Sequence, residues 1–175
     1  MIVLGIDPGL ATTGYGIIKD NEKLELIHYG SIETKANQPF IIRLQMIYKE
    51  MKKLLRLYKP DVVVIEEIFF CKNVKTALQI GHVRGVIMLA AIEANSEIAE
   101  YTPLQVKQAL TGFGRAQKKQ IQQMVKILLN LKTIPKPDDA ADALAVAICH
   151  IHSSKVSVQA VSKGKWKSRE KGGKY

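Results

Sequence analysis

Four acidic residues stand where a folded core offers them no obvious partner. Asp7 follows the apolar run Ile2-Val3-Leu4-Gly5-Ile6 and precedes a Pro8-Gly9 turn, and Glu66 follows the β-branched run Val62-Val63-Val64-Ile65. Asp139 and Asp142 lie in Asp138-Asp139-Ala140-Ala141-Asp142-Ala143-Leu144-Ala145, a stretch whose alanines and later apolar residues predict a helix packed closely on something. Residues three apart on a helix share a face, with Cβ atoms about 5–6 Å apart, so Asp139 and Asp142 can serve one site. Asp138 is then available as the N-cap. Four carboxylates gathered together repel one another and cannot all ionise near neutral pH unless cations relieve them. Oxygen ligands with no Cys and no obligatory His select Mg²⁺ or Mn²⁺ over Zn²⁺. A pair of such ions about 3.5–4 Å apart clamps a phosphodiester, and the chemistry this predicts is hydrolytic cleavage of a nucleic-acid strand. Each acid taken singly has a plainer use, Asp7 in a turn and Asp139 against a helix dipole. Those uses do not explain the set.

The elements that must position these residues follow from the hydrophobic pattern. Residues 2–7, 14–19 and 24–34 read as three strands separated by Pro8-Gly9 and Asp20-Asn21, spaced for antiparallel hairpins. From about residue 39 to 58, Ile41, Leu44, Ile47, Tyr48, Met51, Leu54, Leu55 and Tyr58 recur at helical intervals, and Pro60 closes that helix. The run 62–65 has the character of a central strand covered on both faces. Helices are predicted over 73–94, from Pro103 to before Gly112, over 117–131 and over 138–152, with a short strand at 98–101. The order βββ-α-β-α-β-α-α-α predicts an α/β domain: a mixed sheet of three antiparallel strands and then parallel additions brought in by crossovers, with helices on both faces. That order resembles the ribonuclease H-like fold. If the first and fourth strands are neighbours, their carboxyl ends set Asp7 beside Glu66, and the last helix crosses them. Strand alternation sends Glu66 and Glu67 to opposite faces, and a strand covered on both sides leaves open which one faces the site.

The chain of 175 residues, 47% hydrophobic and 24% charged, is the size of one domain with or without a tail, and needs neither disulfides nor a structural metal to fold. Its formal charge of +10 favours a polyanionic partner. Residues 155–175 carry a net +6, which leaves +4 for residues 1–154. The division predicted is a nuclease domain over 1–154 and a basic, disordered tail over 155–175, which is either a polyanion contact or a solubilising end. Cys71 and Cys149 follow no metal-ligand spacing and form no disulfide framework, which points to a reducing cytoplasm. The start lacks the basic region and cleavage site of a signal peptide, and no segment approaches the ~20 apolar residues that span a bilayer, so no membrane partner is expected.

Three separated motifs carry a family resemblance: Gly5-Ile6-Asp7-Pro8-Gly9 with Thr13-Gly14-Tyr15-Gly16, then Ile65-Glu66-Glu67-Ile68-Phe69, then Asp139-Ala140-Ala141-Asp142-Ala143-Leu144-Ala145. In identity, order and spacing they resemble the RuvC family of bacterial Holliday-junction resolvases, over nearly all of residues 1–152. The resemblance implies a homodimeric, Mg²⁺-dependent crossover junction endodeoxyribonuclease of recombination and repair. Such an enzyme makes paired nicks across four-way junction DNA with two Mg²⁺ per active site, for which Mn²⁺ can substitute. It puts the family's catalytic and metal-binding acids on Asp7, Glu66, Asp139 and Asp142, and brings in the RuvA–RuvB branch-migration complex as a partner.

The same resemblance places Phe69 at the position that stacks on an unpaired base, and Lys107 and Lys118, with Arg115 and Lys119, at basic positions near the scissile strand. On composition alone Phe69 or Phe70 is equally a core residue, and each lysine an ordinary solvated one. The helix containing Gly81-His82-Val83-Arg84-Gly85-Val86-Ile87 is apolar almost all round, more than one sheet face covers, and a second subunit is its natural cover. His28, His82, His150 and His152 match no metal position in these motifs. Two other readings compete with this one. An actin-like ATPase or sugar kinase shares the Gly5-Ile6-Asp7-Pro8-Gly9 pattern but needs a second core domain that 175 residues do not supply. A module that binds branched DNA without cutting it gains nothing from holding four acids against a polyanion.

Overall fold

The computed structural model describes residues 1–67 and 73–163, with side chains in the last helix as far as Ser154. Five strands, β1 (Ile2–Asp7), β2 (Thr12–Asp20), β3 (Leu24–Glu33), β4 (Val62–Glu66) and β5 (Glu97–Tyr101), form one sheet in the order β3-β2-β1-β4-β5. β1 pairs antiparallel with β2, and β2 with β3, while β1–β4 and β4–β5 are parallel. Five helices complete the chain: α1 (Phe40–Tyr58), α2 (Val74–Glu93), α3 (Pro103–Thr111), α4 (Lys118–Leu128) and α5 (Asp138–Lys163). This is the predicted α/β arrangement, antiparallel strands first and parallel ones added.

The pleat divides the core in two. Leu4, Ile6, Ile17, Val63 and Ile65 face α1 and α2, packing with Leu44, Ile47, Met51, Val83 and Ile87. Val3, Ile18, Val62 and Val64 face the other way, onto α5 and onto the α3–α4 pair behind it. With a period of two, Asp7 follows Val3 and Glu66 follows Val62 and Val64, so both acids share the α5 side of the sheet. Because β1 and β4 are parallel and adjacent, with Ile6 opposite Ile65, the two acids leave the sheet at the same end.

Helix α5 lies unusually near the strands because glycine lines its seat. A Cβ on Gly14 would run into the Asp139 carbonyl, one on Gly5 into the Ala143 carbonyl and Ala147, and one on Gly16 into Leu144. Asp139, Ala143 and Ala147, four residues apart, form the ridge that rests there. Ala140, Ala141, Ala143 and Ala147 are wholly buried, which is why so small a residue recurs on this helix. Asp7 is the register partner of Gly14, so the contact that seats the helix also carries Asp139 toward the end of β1.

Three boundaries differ from expectation. α4 ends at Leu128 rather than residue 131, since Leu129 takes the C-cap and Asn130 turns the chain with φ 50°. α5 opens with Asp138 as its first residue, and the Pro137 carbonyl accepts from the Ala140 and Ala141 amides, so Asp138 is not the cap. α5 also runs on through Lys163, well beyond His152, so residues 155–163 are helical backbone where a disordered tail was expected. Elongating an existing helix costs far less than starting one, and no glycine or proline interrupts the chain before Gly164.

The seat gives a stability prediction. Gly5→Ala forces a methyl group into the α5 backbone and should lower the free energy of unfolding by about 1–3 kcal/mol, read as a reduced urea midpoint with an unchanged slope.

Candidate active site

The four acids come from three elements and meet at one end of the sheet. Asp7 and Glu66 end β1 and β4, and Asp139 and Asp142 stand in the first turns of α5. Their mutual effects show how close they are. Burial, with Glu66, Asp142 and Asp139 nearby and Lys118 opposing, pushes the Asp7 carboxyl up from its ordinary 3.8 to about 7. Burial also raises Glu66, as does Asp142, while a hydrogen bond with Asp7 and the charges of Lys107 and Lys118 pull it back. Asp142 is raised by burial and opposed chiefly by its bond to Lys118.

Lys118, the first residue of α4, brings its ammonium 2.8 Å from Asp142 Oδ2 and 3.8 Å from Asp138 Oδ2. Asp138 is also held by Lys136 at 2.7 Å, and Asp7 feels Asp139 and Asp142. The alternatives left open by the sequence therefore resolve on geometry. Glu66, not Glu67, shares the site with Asp7, and Asp139 rather than Asp138 faces it. The Glu67 amide donates to the Tyr101 carbonyl at 2.9 Å, extending the β4–β5 pairing.

Beside the acids lies a cavity of about 240 Å³ lined by Glu66, Asp142, Lys107 and Lys118, with Pro103, Val106, Ile121 and Ala145 as its apolar wall. Lys107 and Lys118 thus line the cavity beside the acids. Arg115 and Lys119 are exposed on the approach to α4, and the described ion pairs do not include them. Phe69 falls outside the described residues. A larger cavity of about 800 Å³ sits at the opposite end of the sheet, between the C-terminal ends of α1 and α2, and holds none of the four acids.

One residue at the site was not singled out from sequence. Arg84 on α2 donates through Nη1 to the Glu66 carbonyl at 2.5 Å and pairs through Nη2 with Glu100 on β5. Its guanidinium fastens the last residue of β4 from the opposite face of the sheet. Its place in an apolar helix, with no acid nearby in sequence, was the available signal.

The donor set suits a hard divalent cation. It is all oxygen, and the ammonium groups of Lys118 and Lys107 oppose four acids strongly enough crowded that one retains its proton toward neutral pH. As the side chains stand, no three His, Cys, Asp or Glu among the described residues are drawn into a ready ligand cluster. The Asp7–Glu66 hydrogen bond and the Lys118–Asp142 pair occupy them instead.

Comparison with known proteins decides the family: residues 3–150 match the description crossover junction endodeoxyribonuclease RuvC. The chain belongs to the RuvC family. The crossover junction endodeoxyribonuclease RuvC of Caldicellulosiruptor saccharolyticus is 60% identical over 156 residues, covering 88% of this chain and 94% of that protein. That of Caldanaerobacter subterraneus is 57% identical over 155 residues, covering 88% and 94%. Among solved structures, Thermus thermophilus RuvC superposes with a TM-score of 0.83 at 35% identity, over 90% of this chain and 97% of its own. The same RuvC in complex with a Holliday junction substrate gives 0.83 at 33% identity, over 89% and 96%. The RuvC fold is thus the ribonuclease H-like arrangement that the element order resembled.

The raised Asp7 carboxyl has a consequence for stability. Between about pH 4 and 7 the folded protein holds a proton there that the unfolded chain has released, so stability falls as pH rises through that window and levels off above it. In EDTA at pH 8, Asp7→Asn should therefore melt several degrees above the unsubstituted protein, and the difference should close as pH is lowered toward 4. Thermal melts across that range check it.

Proposed function

We propose that this chain resolves Holliday junctions, cutting four-way junction DNA by paired, symmetric nicks in homologous recombination and repair. The observation that carries the reading is the convergence of Asp7, Glu66, Asp139 and Asp142 at the carboxyl end of two parallel strands, beside a cavity walled by Lys107 and Lys118. The RuvC relatives and the Thermus thermophilus complex with a Holliday junction substrate support the choice of DNA.

The four acids would hold two Mg²⁺ per site, for which Mn²⁺ can substitute. Bound there, the ions supply activation of water and neutralisation of charge on the leaving oxygen. The chain's own residues do the rest. Asp7 would hold an ion as the carboxylate, its proton passing to solvent and its hydrogen bond to Glu66 being lost. Lys107 and Lys118 bring positive charge to the phosphate facing the cavity, and Arg115 and Lys119 extend that charge along the strand. Phe69, next to the end of β4 in sequence, stacks on an unpaired base.

The reading includes a homodimer. On α2, Val83, Ile87, Ala90 and Ala91 are buried against the sheet, whereas Val74, Leu78, Leu89 and Ile92 are exposed in one stripe with Gly81 and Gly85, around which nothing lies within 4 Å. An apolar stripe with smooth gaps suits an isologous helix contact, and a dyad suits a nearly twofold junction. RuvA–RuvB is the branch-migration partner in this reading, and the cytoplasm its setting. Among the described residues no helix is long and apolar enough to cross a membrane.

Two experiments test these statements. A synthetic four-way junction with Mg²⁺ should yield symmetric nicked duplexes on a denaturing gel, and none in EDTA. Asp7→Asn should reduce the rate at least a thousandfold, on the order of losing a group central to metal catalysis, while retaining junction binding in a gel shift; cutting in EDTA or by the Asn variant removes the metal site. Leu89→Glu should halve the sedimenting mass, and an unchanged mass excludes α2 as the dimer face.

A further inference from the structure

The α3–α4 connection holds an aromatic side chain in water. Phe113 is 60% exposed, yet the backbone on either side of it is closely held. Gly112 caps α3 in the left-handed region at φ 72°, its amide donating to the Gln108 carbonyl. The Thr111 hydroxyl accepts from the Phe113 amide at 3.1 Å and lies 2.8 Å and 3.0 Å from the Lys107 and Phe113 carbonyls. The Ala116 amide then donates to the Phe113 carbonyl at 3.2 Å. Gly114 lies against the end of the Leu104 side chain. The ring is presented by an ordered turn, and its backbone pays little entropy when something covers it.

The surroundings say what that something is. Residues 101–137 contain no Asp or Glu but have Lys107, Arg115, Lys118, Lys119, Lys126, Lys132 and Lys136, a run whose charge repels a basic partner and attracts a polyanion. Two of these, Lys107 and Lys118, wall the cavity beside Glu66 and Asp142 and flank the Phe113 turn on α3 and α4. An exposed ring set among cations is the combination that holds single-stranded nucleic acid: cations take the phosphates, and the ring takes a base face.

We propose that Phe113 stacks on a nucleobase of the DNA strand that leaves the carboxylate site across the α3–α4 turn. This rests on the junction-resolving reading and adds to it a base contact on the α3–α4 turn.

The test is fluorescence anisotropy with a labelled four-way junction and a matched linear duplex, in EDTA at several salt concentrations, using the full chain and the variants Phe113→Ala, Phe113→Leu and Phe113→Trp. Ala and Leu should weaken junction binding by about 5- to 100-fold, the range base stacking gives on alanine substitution. Trp should stay within about twofold, since it keeps a π-face. The salt dependence should keep its slope, because no phosphate contact is lost. All three should melt with the unsubstituted protein, the side chain being exposed. Junction binding by the Ala variant equal to that of the unsubstituted chain overturns the proposal. So does full binding by Leu, which reduces the contact to apolar cover, or a changed sedimenting mass for Ala, which assigns the ring to a protein contact. If the unsubstituted chain does not prefer the junction to the duplex, the functional reading fails, and the base contact with it.

Discussion

Asp139 and Asp142 reach the end of the sheet because the helix backbone rests on strands that have glycine at three positions beneath it. Gly5, Gly14 and Gly16 remove the layer of side-chain atoms that ordinarily separates a helix from the strands under it, and the buried alanines of α5 match them. The arrangement is costly to alter, since the obstacles a Cβ would meet at Gly5 and Gly14 are mostly main-chain atoms that cannot swing aside. The same contact decides the chemistry. Were α5 lifted by one methyl layer, its acids would no longer crowd Asp7.

That crowding gives the site its electrostatic character. Burial is the largest cause of the rise at Asp7, Glu66 and Asp142 alike, with neighbouring acids adding to it. Lys118, with Lys107 at Glu66, offsets part of the repulsion, and the affinity of Lys118 for protons rises through its bond to Asp142. A fold that keeps such a set together forgoes stability at neutral pH in order to have a strong demand for positive charge at one place. In the reading favoured here, that demand is what divalent ions and the lysines around the cavity answer.

Much of this was legible in the residues. The four acids announce themselves by following or interrupting apolar runs, and the element order gives the sheet. Glu66 could not be separated from Glu67 without knowing that Val62 and Val64 face α5, which needs the three-dimensional pairing. The continuation of α5 was hidden because residues 155–163 open a stretch to residue 175 that is rich in Lys, Ser and Gly, and that composition spoke louder than the lack of any helix breaker before Gly164. Asp138 looked like a cap because it precedes the helix pattern, but the Pro137 carbonyl takes that place and leaves Asp138 to Lys136 and Lys118. Arg84 stood out only as a cation in an apolar helix, since its partners Glu66 and Glu100 lie 18 and 16 residues away on different strands. Phe69 belongs to a stretch beyond the described residues, so its stacking role rests on the family resemblance.

The Arg84 guanidinium gives α2 a mechanical hold on the chemistry. It grips the main chain of Glu66 on one side and the Glu100 carboxylate on the other, so the helix that offers its outer stripe to solvent is bolted by its inner face to the strand ends at the acids. A twist or slide of that helix would load the main chain at Glu66 by way of a single side chain. Whatever settles against the outside of α2 thereby acquires leverage over the spacing of the acids beneath it.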